Sequence, residues 1–275
     1  MPGFLGTALL SGIIKSVTGT SHQLRFSISA SSDASLERLQ QMFASHKDQV
    51  TTITTDNLTA VGDSEVVMLG FQPHQLTAIS SNQALRKALQ GKLVISLLAG
   101  VSSQQIREAI YASDETSSSS RISRVIPSIG AKINESVTLI ADTGLSSSDQ
   151  DLVGWIFEQV GNSQLVPEDL INSVTALSAT CHSLTVVAAD AIVDASLAEG
   201  IPRQVALAVA AQCLRSSSSL LQGQETIESL KVAMAVPRSI TVNALLQLER
   251  GQVRAGISDT LRHAVRYSQT MSEKN

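Results

Sequence analysis

The fold follows from three consecutive segments, SEVVMLGF (64–71), HQLTAISSNQALRKAL (74–89) and KLVISLLAG (92–100). The first and third are short apolar runs typical of buried strands, and the second has the spacing of an amphipathic helix. A strand, a helix and a strand in this order predict a parallel pair joined by a crossover helix. We therefore expect a parallel β-sheet covered by helices.

The same alternation continues on both sides of this unit. Further strands are predicted at LRFSISA (24–30), SRVIPS (123–128) and SVTLIADTG (136–144), and further helices at 3–17, 33–46 and 102–112. The serine-rich tract SDETSSSSRIS (113–123) is expected to be a solvated loop. Strands separated by amphipathic helices indicate an α/β domain with a parallel, doubly wound sheet.

The strand pattern stops near Pro167, and long helical segments follow. We therefore predict an α/β domain over 1–165 and an all-helical domain over 166–275. The helical half is rich in Ala, Val and Leu, with more apolar surface than one small helical domain hides. It is expected to form an oligomer interface, and a self-contained helical core is the alternative.

Charge and cysteine usage exclude several classes of protein. A net charge of −4 gives no electrostatic footprint for nucleic acid or for an anionic membrane surface. The two cysteines, Cys181 and Cys213, lie too far apart for a clustered metal site and are too few for a disulfide framework. They indicate a reducing compartment, so the cytoplasm is expected. We expect no membrane-spanning segment, because no apolar run reaches about 18–20 residues.

Several motifs resemble the pyrroline-5-carboxylate reductase family in order and spacing. They are GTALLSGI (6–13), GKLVISLLAGVS (91–102), RVIP (124–127), SVTALS (173–178), GIPRQVAL (200–207), ESLK (228–231) with Pro237, and LLQLERGQVRAGI (245–257). The resemblance covers nearly the whole chain. It implies a Rossmann-like domain followed by a helical dimerisation domain, and a dinucleotide-dependent reduction of a cyclic imino acid to proline. It also implies dimers or larger homo-oligomers.

The cofactor motif departs from the family pattern of a strand followed by G-x-G-x-x-G. Only Gly3, Phe4, Leu5 and Gly6 match its last part, and no strand precedes them. Because that strand is central in a doubly wound sheet, its loss removes pairing partners from both of its neighbours. Either a strand is missing upstream of a misjudged start, or the native protein has lost the strand and rebuilt the site.

The other cofactor positions that the resemblance implies are mixed: Asn57, Pro73, Ala99 and Gly100 match the family, whereas Gly70 and Phe71 replace its Ala-Val. The candidate cofactor positions follow the predicted strands and are Ser29, Ser31, Asn57, Gly70, Phe71, Pro73, Ala99 and Gly100. The absence of an acidic residue near Ser29–Ser31 favours NADPH over NADH, although no adjacent Arg or Lys is available for the 2′-phosphate. The alternative is that no cofactor binds.

The resemblance places substrate contacts in two turns that have lost their glycines. The family's Pro-Gly-Gly-x-Thr becomes Pro237-Arg238-Ser239-Ile240-Thr241, and its Ser-Gly-Ser-Gly-Pro-Ala turn becomes residues 178–183. Thr241 is expected to reach the imine nitrogen. Arg238 is either a fork for a carboxylate or a solvated side chain.

The second turn supplies the remaining candidates: Ser178, Thr180, Cys181 and His182. His182 is a candidate acid or base, and a buried, satisfied histidine is the alternative. A catalytic pair of Cys181 and His182 is not expected, because adjacent residues on a helix point about 100° apart.

Three functions remain open from the sequence. The first is an NADPH-dependent imine reductase with an altered substrate, as in secondary metabolism. The second is a scaffold without redox chemistry that folds a substrate for cofactor-independent cyclisation or isomerisation. The third is a non-catalytic partner subunit. Binding of NADPH separates them, because only the first requires it.

Overall fold

The computed structural model describes residues 4–20, 24–111, 120–223 and 225–274. Within these residues the strands are β1 (Phe26–Ser29), β2 (Val50–Thr54), β3 (Val66–Leu69), β4 (Leu93–Ser96), β5 (Arg121–Pro127), β6 (Ser136–Asp142) and β7 (Gly161–Pro167). They form a two-stranded sheet, β1-β2, and a five-stranded sheet of order β3-β4-β5-β6-β7. The predicted Rossmann-like α/β class is confirmed.

The larger sheet is mixed, and this corrects the expectation of a parallel sheet throughout. β3, β4 and β5 run parallel, whereas β5 and β6 pair antiparallel, with Val125 opposite Ile140. β7 was not predicted and lies parallel to β6. Only a short connection, residues 128–135, separates β5 from β6, which suits an antiparallel pair because a parallel crossover needs a dozen or more residues.

The helices alternate with the strands up to β7 and then follow one another. They are α1 (Phe4–Val17), α2 (Asp33–Met42), α3 (Asn57–Gly62), α4 (Thr77–Ser80), α5 (Gln83–Leu89), α6 (Ser103–Tyr111), α7 (Ser147–Glu158), α8 (Ile171–Ala198), α9 (Arg203–Gln222), α10 (Ile227–Met234), α11 (Ile240–Arg250) and α12 (Val253–Lys274). Strands stop at Pro167, as the sequence pattern predicts.

Two local predictions were wrong. The single helix over 74–89 is instead a 3₁₀ turn followed by α4 and α5, because the side chain of Asn82 accepts the Leu85 amide and starts a new helix. The loop over 113–123 ends earlier than expected: Arg121 to Ser123 belong to β5, where they pair with β4. Residues 113–119 of that tract lie outside the described residues.

The sheet divides where the sequence places the missing central strand. In the described part of the chain β1 pairs only with β2, and β3 pairs only with β4. Helix α1 packs on both sheets: Leu9 and Ile13 join the core of the larger sheet, and Ile14 joins the core of the smaller one. Apolar packing by α1 therefore links two sheets that no backbone ladder joins.

The chain separates into two compact units, Met1–Thr175 with Ser268–Asn275, and Ala176–Tyr267. The second unit leaves large apolar side chains in solvent, among them Val186 (68% exposed), Val187 (66%) and Ile240 (90%). Its buried apolar residues are Ala176, Val193, Ala206 and Ala210. The alternative of a self-contained helical core is therefore wrong for a single chain.

One stretch of the described residues, Glu168–Ala198, is long and apolar enough to cross a membrane by length and composition. By length and composition, this stretch contradicts the expectation that no apolar run is long enough to span a membrane. Only 17% of its apolar window is buried inside the chain. An apolar helix with so little cover inside its own chain needs a partner surface.

Candidate functional site

Most predicted cofactor positions lie at the carboxyl ends of parallel strands. Ser29 ends β1 and Ser31 follows it, whereas Gly70 and Phe71 follow β3, with Pro73 beginning the next 3₁₀ turn. In open α/β sheets ligands bind beyond the carboxyl ends of the strands. The structure therefore places these residues on the edges where a dinucleotide binds in this class of fold.

Gly100 gives the turn after β4 a shape that requires glycine. Its φ of 75° lies in the left-handed region, where a Cβ is strained. Ala99 beside it is exposed, and a Cβ on Gly70 would meet nothing within 4 Å. These small residues leave open backbone after β3 and β4, which suits close approach by a flat ligand.

Asn57 is the first residue of α3, and the preceding Asp56 already caps this helix. The Asp56 carboxylate accepts the amides of Leu58 and Thr59, each at 3.1 Å, and the Thr59 hydroxyl at 2.5 Å. The hydroxyl bond and the two amides lower the pKa of Asp56. The amides of Leu58 and Thr59 therefore bond to Asp56 and are not free to bind a ligand. The side chain of Asn57 is exposed and can still contact one.

The glycine turn is only partly described. Phe4, Leu5 and Gly6 form the first residues of α1, and Gly3 lies outside the described residues. The amides at the start of this helix are the groups that hold a pyrophosphate in dinucleotide folds. Leu5 and Gly6 therefore sit in the helical turn that the motif predicts.

The first predicted substrate segment lies within α8. The Thr180 hydroxyl donates to the Ala176 carbonyl at 2.7 Å, and Thr180 is 8% exposed. Nδ1 of His182 lies 2.8 Å from the Ser178 carbonyl oxygen, and the ring is half-buried. Cys181 is exposed. The helix therefore satisfies Thr180 internally and leaves Nε2 of His182 as the nitrogen available for proton transfer.

The second predicted substrate segment leads into α11. Arg238 has a φ of 65°, so it keeps the left-handed conformation expected of the glycine that the resemblance places there. Ser239 caps α11, and its hydroxyl accepts the Val242 amide at 3.1 Å. Thr241 is the second residue of α11 and is exposed. A cationic side chain and a hydroxyl thus stand at a helix start that favours anions.

The two substrate segments both belong to the unit Ala176–Tyr267. None of the hydrogen bonds and ion pairs seen between described residues joins residues 178–182 to residues 238–241. The single chain therefore does not bring them together through polar contacts.

A polar cluster on the larger sheet was not predicted from the sequence. Arg124, in the middle of β5, is 3% exposed, and its Nη2 donates to Oδ1 of Asn172 at 2.6 Å. Burial lowers the pKa of its guanidinium, and nearby Glu168 opposes that effect. Glu168 in turn accepts the amide and hydroxyl of Ser103, at 2.8 and 2.6 Å. The available signal was an arginine in the middle of a strand, flanked by the apolar Ile122, Val125 and Ile126.

Two family models match the chain, one on each half. The model described as pyrroline-5-carboxylate reductase dimerisation matches residues 168–271, and the model described as NADP oxidoreductase coenzyme F420-dependent matches residues 2–100. The first contains the exposed apolar helices and the stretch long enough to cross a membrane. The predicted oligomer interface is thereby confirmed as a dimerisation domain.

Curated and solved proteins agree with these models. The chain is 29% identical to a pyrroline-5-carboxylate reductase of Lophium arboricola, over 95% of this chain and 88% of the relative. Its fold is similar to a solved pyrroline-5-carboxylate reductase of Coxiella burnetii, with a TM-score of 0.81, 22% identity, and coverage of 96% and 95%. It is also similar to the Plasmodium falciparum enzyme solved with NADP bound, with a TM-score of 0.77, 17% identity, and coverage of 99% and 96%. The dimerisation model over residues 168–271, with relatives aligned over nearly the whole chain, places the chain in the pyrroline-5-carboxylate reductase family.

Proposed function

We propose that this chain is an NADPH-dependent reductase of a cyclic imine that carries a carboxylate, with a substrate altered from pyrroline-5-carboxylate. The observation that carries the proposal is the start of α11, where Arg238 and Ser239 stand in a turn that keeps a glycine-type backbone. This turn retains the threonine expected to reach the imine nitrogen but presents side chains where the family presents bare backbone. In this proposal the chain still reduces an imine, but the surface that binds the substrate carboxylate differs from that of the family.

The residues present fit a nicotinamide dinucleotide at the ends of β3 and β4. Open space over Gly70, the exposed Ala99 and the left-handed Gly100 provide an uncrowded backbone edge there. At the adenosine end Ser29, Ser31 and Asn57 offer uncharged polar groups, and none repels a 2′-phosphate. The proposal therefore favours NADPH, with Phe71 and Pro73 flanking the same edge.

A bound nicotinamide supplies the hydride that reduces the imine carbon. The chain's own residues then have two tasks, which are to hold the substrate carboxylate and to assist protonation of the imine nitrogen. The guanidinium of Arg238 suits the first task, because its planar fork matches a carboxylate. The hydroxyl of Thr241 suits the second, with Nε2 of His182 as a candidate proton source.

The substrate is expected to differ because the amide of Val242 is already occupied. The Ser239 hydroxyl accepts that amide at 3.1 Å, so a carboxylate bound at this helix start has one donor fewer than a glycine turn offers. Arg238 replaces the lost donor with a longer, charged one. We therefore propose a cyclic imine whose acid group lies further from its nitrogen, as in a secondary metabolite, handled in the cytoplasm by a homodimer or larger homo-oligomer.

The decisive experiment has two steps. Titration of the purified chain with NADPH, followed by calorimetry, is expected to give saturable binding. NADPH oxidation is then measured with pyrroline-5-carboxylate and with larger cyclic imino acids, and turnover is expected only with the latter. Absence of NADPH binding would refute the proposal in favour of a cofactor-independent cyclase or a partner subunit, and efficient proline formation would refute the altered substrate.

A further inference from the structure

A polar cavity of about 540 Å³ lies beside α6 and the start of α8. Its lining comes from the first unit alone and comprises Ser102, Ser103, Gln104, Arg107, Arg124, Asp142, Thr143, Glu168, Asp169 and Asn172. None of the residues proposed above for cofactor or substrate belongs to it. The cavity is therefore lined by a different set of residues from the proposed reductase site.

Arg124 is one of the lining residues, and one donor of its guanidinium has no partner among the described residues. Its Nη2 is bonded to Asn172, but its Nε has no hydrogen-bond partner in the described part of the chain. Arg124 is 3% exposed, so bulk water does not replace that partner. A buried, unpaired donor is costly, and such a group in a native fold points to a missing acceptor. A carboxylate is the acceptor that a guanidinium binds best.

The lining also carries negative charge that is not used in pairing. Asp142 and Asp169 are exposed, and neither forms an ion pair among the described residues. Glu168 differs, because its two oxygens accept the amide and hydroxyl of Ser103 and so close the wall of the cavity. Arg107 donates its Nε to the Ser120 hydroxyl at 2.7 Å. The cavity thus combines a buried arginine, whose Nε lacks a partner among the described residues, with two carboxylates near solvent that form no ion pair there.

We propose that this cavity binds a small α-amino acid, with its carboxylate on Arg124 and its ammonium group on Asp142 and Asp169. Three carboxylates against two arginines disfavour a phosphate or another polyanion. A simple cation is disfavoured by the arginines. A zwitterion satisfies groups of both signs at once, and the remaining space accommodates a side chain.

Binding is tested with L-alanine as the probe, measured by calorimetry and by the melting temperature of the full-length chain. L-alanine is expected to bind saturably at millimolar concentration and to raise the melting temperature. Acetate carries only the carboxylate and methylamine only the ammonium group, so each is expected to bind at least about tenfold more weakly. No saturable binding of L-alanine, or equal binding of acetate, would overturn the proposal.

Variants locate the bound amino acid. The double variant Asp142→Asn, Asp169→Asn changes exposed side chains and is expected to weaken L-alanine binding about tenfold or more, whereas Asp151→Asn, an exposed acid outside this cavity, is expected to leave it unchanged. Arg124→Lys is expected to weaken L-alanine binding by a similar factor. If this variant does not fold, the double variant by itself tests the proposal. Unchanged binding in the double variant, or loss of binding in Thr241→Val, would assign L-alanine to another site and overturn the proposal.

Discussion

Arg121 and Asp149 form a two-pronged ion pair that fastens β5 to α7. Nη2 of Arg121 lies 2.5 Å from Oδ1 of Asp149, and Nε lies 2.8 Å from Oδ2. The Asp149 side chain is 9% exposed, whereas that of Arg121 is 42% exposed. The pair is therefore stronger than an ordinary surface pair but is still weakened by solvent on the arginine side.

Asp149→Asn is expected to lower the free energy of unfolding by about 1–2 kcal/mol near pH 7. The hydrogen bond from Arg121 lowers the pKa of Asp149, so its stabilisation is present above the unfolded pKa of about 3.9. The stabilisation is lost as the pH falls through the lower pKa of the folded state. Melting temperatures of the two proteins should therefore converge below about pH 4. Glu249→Gln, which breaks the exposed Arg254–Glu249 pair, is the control and should change nothing measurable.

Arg238→Gly is expected to raise the free energy of unfolding by about 1 kcal/mol, because it removes a side chain from the left-handed region. Gln252, with a φ of 54°, is the matched control, and Gln252→Gly should stabilise the chain by a similar amount. Only the first substitution is expected to alter substrate choice, since it restores one glycine of the family turn. Equal effects of both variants on turnover would contradict a role for Arg238 in substrate binding.

Gly100→Ala is expected to destabilise the chain by about 1–2 kcal/mol and to weaken NADPH binding, because alanine is strained at a φ of 75°. Gly154 lies inside α7, and a Cβ there meets nothing within 4 Å. Gly154→Ala is therefore expected to be neutral or stabilising and to leave NADPH binding unchanged. Denaturant unfolding and a fluorescence titration measure the two effects, and tight NADPH binding by Gly100→Ala would argue against this turn as a cofactor contact.

Val187→Glu is expected to shift the oligomer toward monomer in light scattering. The side chain is 66% exposed in the single chain but belongs to the apolar surface of the dimerisation domain, where a buried, unpaired carboxylate is costly. Ile133, 72% exposed in the α/β half, is the control. Ile133→Glu should leave the oligomer intact, and an unchanged oligomer in Val187→Glu would place the interface elsewhere.

The strand–helix–strand unit around residues 64–100 could be predicted because β3 and β4 are uninterrupted apolar runs with distinct helical spacing between them. The antiparallel pairing of β5 and β6 was missed although its signal was present, since a connection as short as residues 128–135 leaves no room for the crossover that a parallel pair needs. The break in α4 and α5 depends on one capping side chain, Asn82, which helical spacing alone does not reveal.

The candidate site residues also divide into those that the sequence predicts and those that it does not. The positions after β1, β3 and β4 were predictable, because fold class fixes where strands end. The left-handed backbone of Arg238 was foreseeable only through the glycine that the family carries there. Arg124 was missed because its burial depends on α6 and α8 covering one face of β5, a contact between segments distant in sequence.

Thr241→Val is the substitution that tests whether the remaining site is active. The exposed Thr241 hydroxyl makes no hydrogen bond seen among the described residues, so its loss should change the melting temperature little. If the hydroxyl assists protonation of the imine nitrogen, kcat should fall by about 10²-fold or more, since positioned proton transfer contributes that much. Thr185→Val is the control, because that exposed hydroxyl donates to its own helix at 2.8 Å and is expected to affect neither quantity.

Arg238→Ala should instead raise KM for an acidic substrate, and His182→Ala should change the pH profile of kcat. Full activity in all three variants would show that Thr241, Arg238 and His182 take no part in the reaction.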